Sequence, residues 1–198
     1  MKLRIFNMVE ININRIYSNY NKKEKGYKQE KKNYLNNDNK FNDKGGIGNM
    51  SIKYSAIDLA NYVIKYANQN SKPITNLYLQ KILYYIQAEE LATTGEPIFN
   101  EPIMAWKYGP VIEDVYYKFS PFGSSVINSE RIISELIDIE EDVKARINNI
   151  INEKMKKPAW KLVRETHEED PWRNTTNDGQ NLNIEITIDS IKDFFKKN

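Results

Sequence analysis

The run Thr166-His167-Glu168-Glu169-Asp170 sets one imidazole beside three carboxylates. Those residue types can serve as a general acid/base pair or as oxygen ligands for a metal ion. Two facts weigh against either use. His167 is the only histidine, so a site of the H-E-x-x-H type, which needs two imidazoles, is excluded within one chain. The carboxylates fall at a helix end just ahead of Pro171 and read more simply as a solvated charge run or loop anchor, with His167 in a fixed hydrogen bond. Other reactive centres lack their parts. The chain has no cysteine, which removes disulfides, thiolate nucleophiles and cysteine-ligated zinc or iron-sulfur sites. Its 8 glycines are scattered and form neither GxGxxG nor a P-loop, and no serine sits in a nucleophile elbow. The expectation is a protein that is not an enzyme and uses no cofactor or metal.

Side chains suited to recognition are easier to find. Leu79, Ile82, Leu83 and Ile86 recur at helical spacing and make an apolar stripe. Gln80, Lys81, Tyr84 and Gln87 fall off that stripe, on one side of the same helix. Two readings stand: a solvated face with Tyr84 half buried, or a face read by a partner. Further along, Trp106, Lys107 and Tyr108 occupy a strand-to-helix corner closed by Gly109-Pro110. Aromatics crowd this region, and while most belong in a core, a minority left exposed would suit a protein interface. His167 and Trp172 are expected to meet this corner in space, His167 hydrogen-bonding a group in the Tyr108–Pro110 turn and fixing the start of the third helix.

Positioning these groups requires a set of short elements. Ser55-Ala56-Ile57-Asp58 resembles a capping box, and Leu59, Ala60, Val63, Ile64 and Ala67 continue it as an apolar seam, predicting a first helix from Ala56 to Gln69. The link through Pro73 is short, so the next helix should pack antiparallel to the first. That central helix is predicted from Asn76 to Thr94, with Thr75-Asn76 as a start signal and Gly95 as its stop. An extended segment ends at Trp106, and Pro110 is expected to open a third helix through Phe119. Asp138 and Glu141 begin a helix carrying Val143, Ile147, Ile150 and Ile151. Pro158 opens a shorter one with Leu162 and Val163 inward, stopped by Pro171. Asn174–Asn183 reads as a loop, Ile184–Ile186 as an edge strand able to pair with Ile103–Trp106, and Thr187 as the cap of a last helix. The stretch up to Ile137 stays open between extended chain and a short helix from Ser129. The fold class is mainly α (α+β): a compact helical domain of about five to seven helices with a small two-stranded β element.

Three separated motifs, LQKILYYIQAEELATTGEPIF, EPIMAWKYGPVIEDVY and THEEDPW, resemble in order and spacing the Panacea domain, the family of SocA-like antitoxins and phage-associated GepA-like proteins. The resemblance runs from Tyr54 to the C-terminus. The matching positions are Leu79, Gln80, Lys81, Tyr84, Gln87, Gly95, Trp106 to Pro110, Thr166, His167, Pro171 and Trp172. It implies that they define the fold and a binding face, and it assigns no contact residue. It further implies a bacterial antitoxin that neutralises a neighbour-encoded toxin by direct protein binding, with the toxin as partner and no catalysis. An alternative implied by the SocA-like branch is an adaptor that delivers a toxin to the ClpXP protease.

The 198-residue chain is 40% hydrophobic and has length enough for one good core plus a tail. Residues 1–49 carry 11 Lys/Arg against 5 Asp/Glu, a net of +6, whereas residues 50–198 carry 18 against 22, a net of −4. The Asn- and Lys-rich tail has too few apolar groups to offset its ordering entropy. It could be a basic arm for nucleic acid, with Tyr17, Tyr20, Tyr27 and Tyr34 stacking on bases. The better supported reading is a translated upstream region, since Lys44-Gly45-Gly46 suits an in-frame ribosome-binding site ahead of a start at Met50. No apolar run approaches the roughly 18 residues of a spanning helix and no secretory leader pattern is seen, so no membrane partner is expected and the location expected is the cytoplasm.

Overall fold

The computed structural model describes residues 54–131 and 137–197. The basic N-terminal segment and the Met50 start lie outside the described residues, as does 132–136 within the stretch that the sequence leaves open. Ahead of that stretch, Ser129–Arg131 forms a single 3-10 turn.

Helix α1 (Ala56–Gln69) starts where Ser55 Oγ accepts from Asp58 N at 3.0 Å. Helix α2 (Asn76–Thr94) starts where Thr75 Oγ1 accepts from Tyr78 N, and ends at Gly95 with φ +85. These are the limits the capping residues predict. A hairpin follows, β1 (Ile103–Trp106) and β2 (Gly109–Ile112), leading directly into α3 (Glu113–Phe119). Then come α4 (Glu141–Lys154), α5 (Ala159–Glu168), α6 (Asp170–Thr176), β3 (Ile184–Ile186) and α7 (Ile188–Lys197). The described residues are α-dominated with a small antiparallel sheet. Helix α2 is the hub: α1, α3, α4, α5, α7 and strand β2 all pack on it. It is therefore buried on nearly every side although its sequence is not apolar all round.

The structure differs from the sequence reading at several elements, and helix α4 starts at Glu141 with Glu140 at its N-cap and no side-chain capping bond, so Asp138 does not box it. The β element has three strands in the order β2-β1-β3, because Ile184–Ile186 does pair with Ile103–Ala105 and Gly109–Ile112 pairs on the other side. Pro110 therefore lies in strand β2 and does not open α3. Lacking an N–H, a proline is tolerated on an edge strand, and the helix waits for the acidic first turn Glu113-Asp114. Pro171 does not end the helical run either. The backbone leaves helical geometry at Glu169 (ψ 137), and Pro171 sits in the first turn of α6, where its missing N–H costs nothing. That helix uses Asn174 to Thr176, so the loop begins at Asn177, one of three non-glycine residues here in left-handed backbone with Asp178 and Asn183. Asn and Asp adopt that conformation more readily than other residues.

Candidate functional site

Gln80, Lys81, Tyr84 and Gln87 do not form a solvated face. Gln80 is 1% exposed and the other three are fully buried. Gln80, Lys81 and Gln87 each bond the main chain of a later segment. Gln80 Oε1 accepts from Ile112 N at 2.8 Å while its Nε2 donates to Asn76 Oδ1 at 3.2 Å, and Asn76 Nδ2 donates to Tyr116 O at 2.9 Å. Gln87 Oε1 accepts from Ile98 N (3.0 Å) and Phe99 N (3.4 Å), and its Nε2 donates to Phe99 O at 3.0 Å. Lys81 Nζ donates to Pro110 O at 2.7 Å. Removal from water pushes the lysine down from 10.5 to about 7, with the Glu169 carboxylate opposing the shift. Helix α2 thus holds the hairpin and the loop before it by side-chain bonds to backbone.

Glu169, expected on a solvated run, is instead turned into the molecule. Its Oε1 accepts from the Tyr85 hydroxyl at 2.8 Å, and Lys154 Nζ lies 3.4 Å from the Tyr85 ring centroid. The Tyr84 hydroxyl and Glu169 Oε2 are both buried without a hydrogen-bond partner among the described residues. Burial and the nearby carboxylate hold both tyrosines well above their ordinary value. Burial likewise raises Glu169 from 4.5 to about 7, against the opposing pull of the Tyr85 hydroxyl and Lys154. The folded state therefore keeps a proton on Glu169 that the unfolded chain releases between about pH 4.5 and 7. This contribution to stability is full below 4.5 and is lost as pH rises through 7. Lys81 acts with the opposite sign: its contribution is full above 10.5 and is lost as pH falls through 7. Denaturant titrations should show Glu169→Gln, which keeps an acceptor for Tyr85, abolishing the loss between pH 4.5 and 7. An unchanged pH slope in that variant would remove Glu169 as its source.

At the corner, Trp172 Nε1 donates to Trp106 O at 3.0 Å and the Trp172 ring is 6% exposed, which docks α6 on the hairpin. His167, half-buried, stacks on Trp172 with centroids 3.9 Å apart and planes 20° from parallel. Its Nε2 has no partner among the described residues. Burial and Lys81 lower its pKa, while the backbone of Lys107 favours its charged form. The imidazole thus lies beside Lys107, one residue ahead of the Tyr108–Pro110 turn. Losing the stack and the Lys107 contact in His167→Ala should cost about 1 to 2 kcal/mol of stability, read by melting temperature. A variant with unchanged melting that binds its partner less well would make His167 a contact residue instead.

Trp106 is half-buried against Tyr116 and Tyr117, with centroids 4.8 and 6.3 Å away. Lys107 and Tyr108 are exposed. Tyr108 meets Trp160, a residue the sequence reading passed over, edge to face at 5.3 Å. Trp160 follows directly on the Pro158-Ala159 helix start, and an aromatic at a helix start carries no periodic sign of whether it faces in or out.

A family model described as antitoxin SocA-like, Panacea domain, matches residues 79–173. Over 151 residues the chain is 30% identical to Antitoxin SocA of Caulobacter vibrioides (strain NA1000 / CB15N), a similarity covering 70% of this chain and 80% of that protein. The chain belongs to the SocA-like, Panacea-domain antitoxin family. The Panacea match takes in α2 from Leu79, the hairpin, α3 to α5 and α6 as far as Arg173, and so contains Gln80, Lys81, Tyr84, Gln87, Trp106, Lys107, Tyr108, His167 and Trp172. Helices α1 and α7 and strand β3 lie outside it. No solved structure matches the chain. Among the described residues of this Panacea-domain protein, no helix is long and apolar enough to cross a membrane.

Proposed function

We propose that this chain is an antitoxin that neutralises a toxin protein by binding it directly and without catalysis. The observation that carries the reading is the similarity to Antitoxin SocA across 80% of that protein. The placement of polar groups is consistent with it: Gln80, Lys81 and Gln87 of α2 are occupied in holding backbone, while Tyr108 and Trp160 remain 48% and 54% exposed. Large aromatics on a surface supply contact area at low entropy cost.

Co-expression with a toxin encoded beside this gene should restore growth and give a complex that co-purifies. Absence of both effects with every neighbouring gene would overturn the proposal. Toxin lifetime in the same cells separates two modes of action. An unchanged half-life indicates blocking, whereas a shortening that depends on ClpXP would make the chain a delivery adaptor.

A further inference from the structure

We infer that Lys107, Tyr108, Trp160 and Arg164 form the surface that grips the toxin, and that it takes an acidic segment whose carboxylates flank an apolar side chain. The inference rests on the antitoxin reading above and specifies its interface. Tyr108 and Trp160 are the exposed aromatics among the described residues. They come from distant parts of the chain, the β1–β2 turn and the first turn of α5, yet their rings meet at 5.3 Å and 90°. Each ring limits the other's motion, so the apolar contact is formed before a partner arrives, which lowers the entropy cost of binding.

The charges around the pair have one predominant sign. Lys107 Nζ lies 5.6 Å from the Tyr108 centroid. Arg164 is one helical turn beyond Trp160 on α5, on the same face, and is exposed. Lys157 and Lys161 share one carboxylate, Glu165, at 2.8 and 3.9 Å. Glu168 is one turn beyond Arg164, so Lys107, Lys157, Lys161 and Arg164 stand against Glu165 and Glu168. Residues 50–198 as a whole carry 18 Lys/Arg against 22 Asp/Glu. A domain that is acidic overall has gathered an excess of cations around its exposed rings. Charge complementarity then selects an acidic partner. A nucleic acid fits less well, because the acidic remainder repels a long phosphate chain and the edge-to-face packing leaves no pair of parallel ring faces for stacked bases.

The test uses the full chain and the toxin identified by growth rescue. Arg164→Glu changes an exposed group, so its melting temperature should match the unaltered protein, whereas Trp160→Ala also loses the ring contact with Tyr108 and should melt slightly lower while keeping the parent's far-UV circular dichroism. Trp160→Ala should weaken the complex about thirtyfold, as loss of a central aromatic anchor does. Arg164→Glu should slow association and flatten its dependence on salt. Wild-type affinity in both variants overturns the surface while leaving the antitoxin reading intact. Failure of the unaltered protein to bind any neighbour-encoded toxin overturns both together. Toxin affinity unchanged in Trp160→Ala, with loss of binding to a fluorescein-labelled single-stranded oligonucleotide, overturns it in favour of nucleic acid.

Discussion

Gly109→Ala is expected to destabilise the fold by about 2 to 5 kcal/mol, a large share of the roughly 5 to 15 kcal/mol that holds an ordinary domain folded. Two costs combine. Gly109 has φ +94, a left-handed backbone conformation that costs a residue with a Cβ about 1 to 2 kcal/mol. A Cβ there would also lie 2.6 Å from Thr166 Oγ1, 2.8 Å from Lys81 Nζ and 3.0 Å from Lys81 Cε. Neither neighbour has room to move. Thr166 is fully buried and donates to Val163 O at 2.9 Å, while Lys81 is fully buried and held on Pro110 O. Overpacking of that kind adds about 1 to 3 kcal/mol. Denaturant unfolding of Gly109→Ala reads the combined cost, and a loss confined to the backbone strain of about 1 to 2 kcal/mol would mean that Thr166 and Lys81 yield, and the tight junction would lose its energetic role.

Gln87→Leu should be comparably severe, at about 3 to 5 kcal/mol, although it barely changes side-chain volume. The amide bonds Ile98 N, Phe99 N and Phe99 O, and those two residues are 5% and 0% exposed. A leucine leaves all three backbone groups in a site that water does not reach, each at a cost of about 1 to 3 kcal/mol before relaxation. Amide hydrogen exchange makes the mechanism visible, since Ile98 and Phe99 should lose protection ahead of the rest of the molecule. If the variant melts near the parent temperature with those amides still protected, the bonds contribute little.

What the sequence revealed and what it hid follow from different physics. Ser55, Thr75 and Gly95 fix the ends of α1 and α2 by local hydrogen bonding and backbone conformation, so both helices were readable to the residue. Gly109-Pro110 looked like a breaker followed by a helix start, because nothing local says that Ala105 waits across the hairpin to pair with Pro110. The polar side of α2 misled for a related reason. Side-chain polarity reports a wish for hydrogen bonds, and at Gln80, Lys81 and Gln87 that wish is met by main-chain atoms that are distant in sequence. Glu169 likewise reads as a surface charge until Tyr85 and Lys154 are brought against it. Trp172 was recognised as a corner residue, whereas the company of Tyr108 and Trp160 depends wholly on tertiary placement.

The long-range polar ties that hold this molecule together mostly end on main-chain atoms. Ile98 N, Phe99 O, Trp106 O, Pro110 O, Ile112 N and Tyr116 O are gripped by Gln87, Trp172, Lys81, Gln80 and Asn76, and Lys192 Nζ reaches Gly95 O at 2.7 Å in the same way. A grip on backbone is indifferent to the side chain that the gripped residue carries. Evolution can then rewrite outward-facing positions such as Lys107 and Tyr108 without renegotiating the architecture beneath them, so a lineage could exchange one adversary for another while inheriting the same frame.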